Sequence, residues 1–216
     1  MLSPLSVIAL GFLLGLQHAT DADHIAAVTT SVSEERTVRR AARLGALWGI
    51  GHSITILLVG GAIIAFRLVI PPRIGLGLEF GVAVMLIGLG FANLRPRPAH
   101  MTGPVTTSTR RPILIGIVHG LAGSAAVAIL ALSAIRETWQ AVAYLAVFGL
   151  GTIAGMMLVT ALIAAPALYA AASVRRAQGG IRVAAGALSI VVGLLLAREL
   201  IVDGGLFSAV PTWDPH

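Results

Sequence analysis

The chain of 216 residues contains no cysteine. That excludes disulfides, thiolate metal sites and thiol nucleophiles, so any metal it holds is held by nitrogen and oxygen. Charge is scarce as well: 11% of residues are charged and 57% hydrophobic, with a mean hydropathy of +0.93, whereas an ordinary soluble domain carries about 25% charged residues. This composition excludes a soluble domain and indicates an all-α, polytopic integral membrane protein. The formal charge of +6 would suggest a nucleic-acid partner in a soluble protein. Here the arginines fall between apolar segments, where they set topology, and no nucleic-acid partner is expected. Residues 1–17 lack Lys and Arg, and so lack the positive n-region of a cleavable signal peptide. The N-terminus therefore reads as a retained first span, with Ser3 as N-cap and Pro4 at the first helical position.

About twenty apolar residues cross a bilayer, and on that measure six spans are expected, over 5–30, 44–66, 76–94, 113–135, 140–172 and 181–202. The fifth is too long to stand upright, and Pro166 is a natural place for it to kink or leave the membrane. Arginine alternates between the loops. The first (Arg36, Arg39, Arg40, Arg43), third (Arg95, Arg97, Arg110, Arg111) and fifth (Arg175, Arg176, Arg182) hold eleven, the second and fourth only Arg67, Arg73 and Arg136. By the positive-inside rule the odd loops are cytoplasmic and both termini face outward, in a multi-pass protein of the cell (inner) membrane. The third loop, rich in Pro, Ser and Thr, reads as a cytoplasmic connector, 95–112, between two halves, 1–94 and 113–216.

Those halves resemble each other. Gly15-Leu-Gln-His18-Ala matches Gly116-Ile-Val-His119-Gly at an offset of 101, and Trp48-Gly-Ile-Gly-His52 matches Phe148-Gly-Leu-Gly-Thr152 at an offset of 100. The pair Gly81 and Gly88 has a counterpart in Gly186 and Gly193. With three spans per half, the second copy enters the membrane from the opposite side, which makes two inverted three-helix repeats, an architecture of secondary transporters. Small-xxx-small spacings at Gly45/Gly49, Gly77/Gly81, Gly116/Gly120 and Gly151/Gly155 further predict close helix contacts.

The densest polar stretch is His18-Ala-Thr-Asp21-Ala-Asp23-His24. Ionisable residues are costly in hydrocarbon and there mark ion or proton sites. On a continuous helix His18, Asp21 and His24 share an arc of roughly 120°, offering N, O and N to a cation, while Asp23 points elsewhere. Asp23 then serves a neighbouring helix, orients an imidazole, or joins the site through local unwinding. Counting about 1.5 Å per residue, His52 lies at the depth of Asp21 and His24 on the returning span, with Ser53 and Thr55 as further oxygen donors. His119 repeats His18 in a half without accompanying carboxylates. Glu79, Asn93 and Glu199 sit near span ends and are expected to face headgroups; His100 and His216 carry no assigned role. Imidazole with carboxylate, and no thiol, suits a divalent transition metal. The metal candidates are thus His18, Asp21, Asp23, His24, His52 and His119, with proton competition weakening binding in acid.

The pattern His18-x4-Asp23-His24, in full His18-Ala-Thr-Asp-Ala-Asp-His-Ile25, resembles the signature of nickel/cobalt permeases. Gly51-His52-Ser53 resembles the Gly-His-Ser that follows it in that family, and His119-Gly-Leu-Ala-Gly-Ser-Ala-Ala126 looks like the second-half motif of its short, urease-accessory type members. The resemblance implies a carrier of Ni²⁺ or Co²⁺ as transported substrate, without a tightly bound cofactor or enzymatic activity. His18, Asp21, Asp23, His24 and His52 take the metal-recognition positions. The chain departs from the longer permeases, which resemble an eight-span plan with the signature in span two. Alternatives are a membrane metalloenzyme holding Zn²⁺, which would lack His-Glu-x-x-His, a haem protein, and an inverted-repeat transporter of another small solute. The sequence does not fix an oligomeric state.

Overall fold

The computed structural model describes residues 4–33, 35, 37–95, 109–135, 137–173 and 177–213. Among them there is no strand, and the helices are α1 (Pro4–His18), α2 (Ala22–Val32), α3 (Val38–Thr55), α4 (Gly61–Phe66), α5 (Pro72–Leu94), α6 (Arg110–Ala134), α7 (Thr138–Ser173) and α8 (Ala177–Val202). A π-helical turn, Ile56–Gly60, joins α3 to α4 and makes Val38–Phe66 one apolar rod. Among the described residues, four stretches are long and apolar enough to cross a membrane: Val38–Phe66, Pro72–Leu94, Thr138–Tyr169 and Gly179–Val202. The chain is therefore a multi-pass, all-helical membrane protein.

Local sequence accounts for the ends. Thr37 caps α3, its hydroxyl accepting from the Arg40 N–H at 3.3 Å, which starts the helix ahead of the apolar stretch and carries Arg39, Arg40 and Arg43 on its first turns. Pro71 and Pro72 open α5, where a missing N–H costs nothing. Pro166 lies inside α7, which continues through it to Ser173 over 36 residues, roughly 54 Å and more than a bilayer core needs. Ser3, most of the 95–112 connector, His100 and His216 lie outside the described residues.

The first apolar stretch does not form one helix. It ends at His18 and restarts at Ala22, leaving pieces of roughly 22 and 16 Å, neither of which spans about 30 Å of hydrocarbon by itself. Between them the Thr20 N–H bonds the Gln17 carbonyl at 2.8 Å and the Asp21 N–H bonds that of His18 at 3.2 Å, so the turn satisfies part of the broken ladder.

Glycine sets how close the long helices come. α1 lies on α7, α3 on both α6 and α7, and α5 on α8. A Cβ added at Gly15 would overlap the Phe148 carbonyl oxygen and lie 2.9 Å from the Thr152 nitrogen; one at Gly116 would overlap the Trp48 carbonyl oxygen and lie 2.9 Å from the His52 nitrogen. Likewise Gly51 meets the Ile113 carbonyl and Gly151 that of Phe12. In lipid, where apolar surface gains little by leaving hydrocarbon, such backbone approach is the main source of helix association. The third glycine match between the halves differs: Gly81 and Gly88 have open space around them, and it is Gly90 that meets Gly186.

Gly116→Ala is accordingly expected to destabilise the bundle by about 1–3 kcal/mol, the cost of overfilling a packed contact. Gly81→Ala, with nothing within 4 Å of the added carbon, should leave the thermal midpoint in detergent unchanged or raised. Equal losses at the two sites would refute close approach as the role of Gly116.

Candidate metal centre

The break between α1 and α2 determines where the polar residues point. Asp21 occupies the N-cap of α2 with an extended backbone (φ −61°, ψ 148°), yet its side chain makes no cap bond. Its Oδ2 instead lies 2.7 Å from His18 Nδ1, back across the break. Asp23, in the first turn of α2, accepts at Oδ1 from both the backbone N–H (2.8 Å) and Nδ1 (2.9 Å) of His24. Each carboxylate thus holds one imidazole by Nδ1 and leaves that ring's Nε2 facing inward.

Those nitrogens converge with a third. His18 Nε2 is 3.1 Å from His52 Nε2 on α3, and ligand atoms of His18, His24 and His52 all lie within 4.8 Å of one another. Asp23, His24 and His119 form a second group by the same measure, with His119 Nε2 3.6 Å from Asp23 Oδ2. The ring centroids are 4.6 Å apart for His18 and His24, 4.9 Å for His24 and His119, and 5.2 Å for His24 and His52. His24, His52 and His119 are each at most 2% exposed.

Among the described residues, His24 Nε2, His52 Nδ1 and both nitrogens of His119 are buried without a hydrogen-bond partner. An unsatisfied buried polar atom costs about 1–3 kcal/mol, and several in one place are characteristic of a site built for something that supplies the missing bonds. A cavity of about 350 Å³ opens onto all of them and onto His18, Asp21 and Asp23.

All six candidates are therefore brought together, Asp23 included, because the helix is interrupted. Ser53 and Thr55 do not line the cavity: Ser53 donates to the Gly149 carbonyl at 2.9 Å and Thr55 to that of Gly51 at 3.0 Å. Asn93 does not face headgroups. It is buried and ties the end of α2 to α5 and α8 through Ser33 (3.2 Å) and the Arg182 carbonyl (3.1 Å). Glu79 and Glu199 line the cavity instead of turning away from it. Two aromatic walls carry no assignment from sequence. Trp48 stacks on His24 (5.8 Å, 12°) and meets His119 edge-on at 5.2 Å, and Phe148 tilts against His18 at 5.4 Å. Their matched places in the two halves were the available signal.

A bundle of membrane-crossing helices with buried imidazoles and carboxylates converging on a central cavity has the build of a membrane transporter for a metal cation. Residues 4–94 match the family model of NicO, the high-affinity nickel-transport proteins. Over 94% of its length the chain is 35% identical to the urease accessory protein UreH of Bacillus sp. (strain TB-90), covering 95% of that relative. The chain belongs to this nickel-transport family, and its activity is ion transport, not catalysis. No solved structure matches it.

Because Asp23 touches both His24 and, more loosely, His119, Asp23→Asn is expected to lower nickel affinity of the purified protein by about 10–100-fold, the usual effect of losing a carboxylate behind a ligating imidazole. The half-exposed Asp21 holds only His18, so Asp21→Asn should cost less. Isothermal titration orders the two variants, and the reverse order would contradict this geometry.

Proposed function

We propose that the chain carries Ni²⁺ or Co²⁺ across the cell membrane by binding the ion between His18, His24 and His52, with Asp21 and Asp23 orienting the first two rings and His119 offering a neighbouring position. The observation that carries this reading is the convergence of three imidazoles around partnerless nitrogens. Two nitrogens about 2.1 Å from one ion are roughly 3.0 Å apart at a right angle and roughly 3.4 Å apart in a tetrahedron. The His18–His52 nitrogen separation of 3.1 Å lies within that interval. A carboxylate on Nδ1 fixes the tautomer whose Nε2 lone pair is available, and raises its basicity.

The six-span plan adds to the four long stretches the α1–α2 pair, taken as one interrupted span, and α6. Its division into inverted halves is supported by paired contacts: Gly15 against Phe148 and Thr152 is matched by Gly116 against Trp48 and His52, and His18 beside Phe148 by His119 beside Trp48. Interrupted helices at the interface of two halves are where such transporters bind ions. The arginine pattern supports an arrangement with both termini outside. A hydrolytic Zn²⁺ centre is disfavoured by the same contacts, since the carboxylates nearest the imidazoles are engaged with Nδ1 atoms and are poorly placed to act as general bases.

Reconstituted into liposomes, the protein should accumulate nickel, with cobalt competing and magnesium not. His24→Ala should abolish accumulation while inserting normally; wild-type uptake by that variant would overturn the reading. Ligation needs neutral imidazole, so nickel affinity should fall as pH drops from about 7.5 to about 5.5, through the ordinary histidine range near 6.5. Affinity independent of pH over that interval would argue against imidazole ligands.

A further inference from the structure

The cavity at the metal centre has a second wall. Opposite the histidines it is lined by Glu79 of α5 and, on α8, by Val192, Leu195, Leu196 and Glu199. The α8 residues recur at i, i+3, i+4 and i+7, so a single helix face runs from the centre to Glu199, roughly 10 Å along the axis. A neighbouring cavity of about 420 Å³ is lined by the same two glutamates and continues to Asp203 and Trp213. Glu79 and Glu199 therefore stand where one cavity gives way to the next.

The placement of Glu79 is maintained by the segment after α8. Trp213 Nε1–H donates to Glu79 Oε1 at 2.9 Å, and its ring covers Gly75, where a Cβ would collide with it. The segment is fastened in turn by Thr212 N–H to the Gly204 carbonyl (3.0 Å) and by Arg73 to the Ser208 carbonyl (3.0 Å). Headgroup contact, the expectation for residues near span ends, does not require the Glu79 carboxylate to be held over a cavity. The cavity that these glutamates share with the metal centre is lined also by His52 and His119, each fully or almost fully buried with a partnerless nitrogen.

We propose that Glu79 and Glu199 form an outer binding station for the divalent cation, which takes it from solution through carboxylate oxygen before it moves inward to imidazole nitrogen. This rests on reading the histidine cluster as the transport site. A cleft lined by one sign of charge with low-dielectric walls concentrates its counter-ion, and hard carboxylate oxygen binds a hydrated dication without discriminating strongly among metals.

The test uses the full chain in liposomes, with nickel uptake measured for the wild type, E79Q/E199Q, E79D/E199D and H24A. E79Q/E199Q should raise the half-saturating nickel concentration about tenfold, the lower end of what charge focusing in a cleft supplies, with little change in maximal rate. The effect should shrink at high salt, which screens exposed charge. E79D/E199D, which keeps both charges, should recover most of the loss. An unchanged half-saturation in E79Q/E199Q overturns the proposal, as does a fall confined to maximal rate. Should the double variant fail to insert, E79Q and E199Q alone decide the matter in the same way, each expected to shift half-saturation about threefold. H24A reports separately on the imidazole centre: its inactivity alongside unaltered glutamine variants removes the outer station and leaves the transport site standing.

Discussion

Two carboxylate–imidazole contacts, Asp21 with His18 and Asp23 with His24, organise the centre of this molecule. An isolated carboxylate in a low-dielectric interior is prohibitively costly, and it persists only when paired and hydrogen-bonded. Here the pairing also produces the site, because a carboxylate bound at Nδ1 decides which nitrogen the ring offers. Bringing Asp23 to the same site needs the chain to stop being a helix between His18 and Ala22. On a continuous rod Asp23 would point away from the face shared by His18, Asp21 and His24. The interruption also brings the carbonyl end of α1 and the amide end of α2 to the same place. The former carries partial negative charge suited to a cation, the latter partial positive charge suited to Asp23.

The rest of the bundle holds this broken segment at its proper depth. Gly15 lets α1 lie directly on the backbone of α7, and Gly116 lets α6 lie on that of α3, so each aromatic ring at these contacts, Phe148 or Trp48, reaches a histidine of the other half. On the inverted-repeat reading the two halves have diverged in one respect that matters. The second keeps the glycine and the histidine but has Gly120-Leu-Ala122-Gly-Ser124 where the first has Ala19-Thr-Asp21-Ala-Asp23. With alanine at the position that matches the N-capping Asp21, α6 runs unbroken through His119. One half supplies the interrupted segment, the other a continuous wall against it.

Much of this was legible in residue order. The helical class follows from composition, the long helices from runs of apolar residues, and the approach of His52 to the first polar stretch from equal depth on antiparallel neighbours. The matched Gly-x-x-His and aromatic-Gly-x-Gly patterns correspond to contacts that do form. The Gly81 and Gly88 match does not, because glycine is common in membrane helices and two of them seven apart recur without sharing surroundings. The interruption was legible in principle, since Asp21 is a favoured N-cap residue set inside an apolar stretch, but periodicity alone does not choose between capping and ligation. Glu79 and Glu199, expected at the headgroups, line the cavity instead. Whether an acidic residue near a span end faces headgroups or a cavity depends on which side of α5 and α8 packs inward, and both helices are apolar nearly all round.

On the proposed reading, charge and donor type together explain why the site would take a dication. With its histidines neutral, the centre carries the two charges of Asp21 and Asp23, so a divalent ion brings the sum to zero whereas a monovalent ion leaves one carboxylate uncompensated. Moving net charge through a low-dielectric region is what makes membrane transport of ions costly, and a neutral loaded centre lowers that cost without any ligand having to leave. Charge alone would admit magnesium and calcium equally. Imidazole nitrogen does not, because those ions prefer oxygen and magnesium sheds its water reluctantly, whereas nickel and cobalt bind nitrogen well. The carboxylates bonded to Nδ1 therefore have a double effect, matching the valence of the ion while leaving its selection to Nε2. Ranking nickel against cobalt falls to the geometry that the three rings impose, and that geometry depends on how rigidly the turn at Ala19 to Asp21 is held.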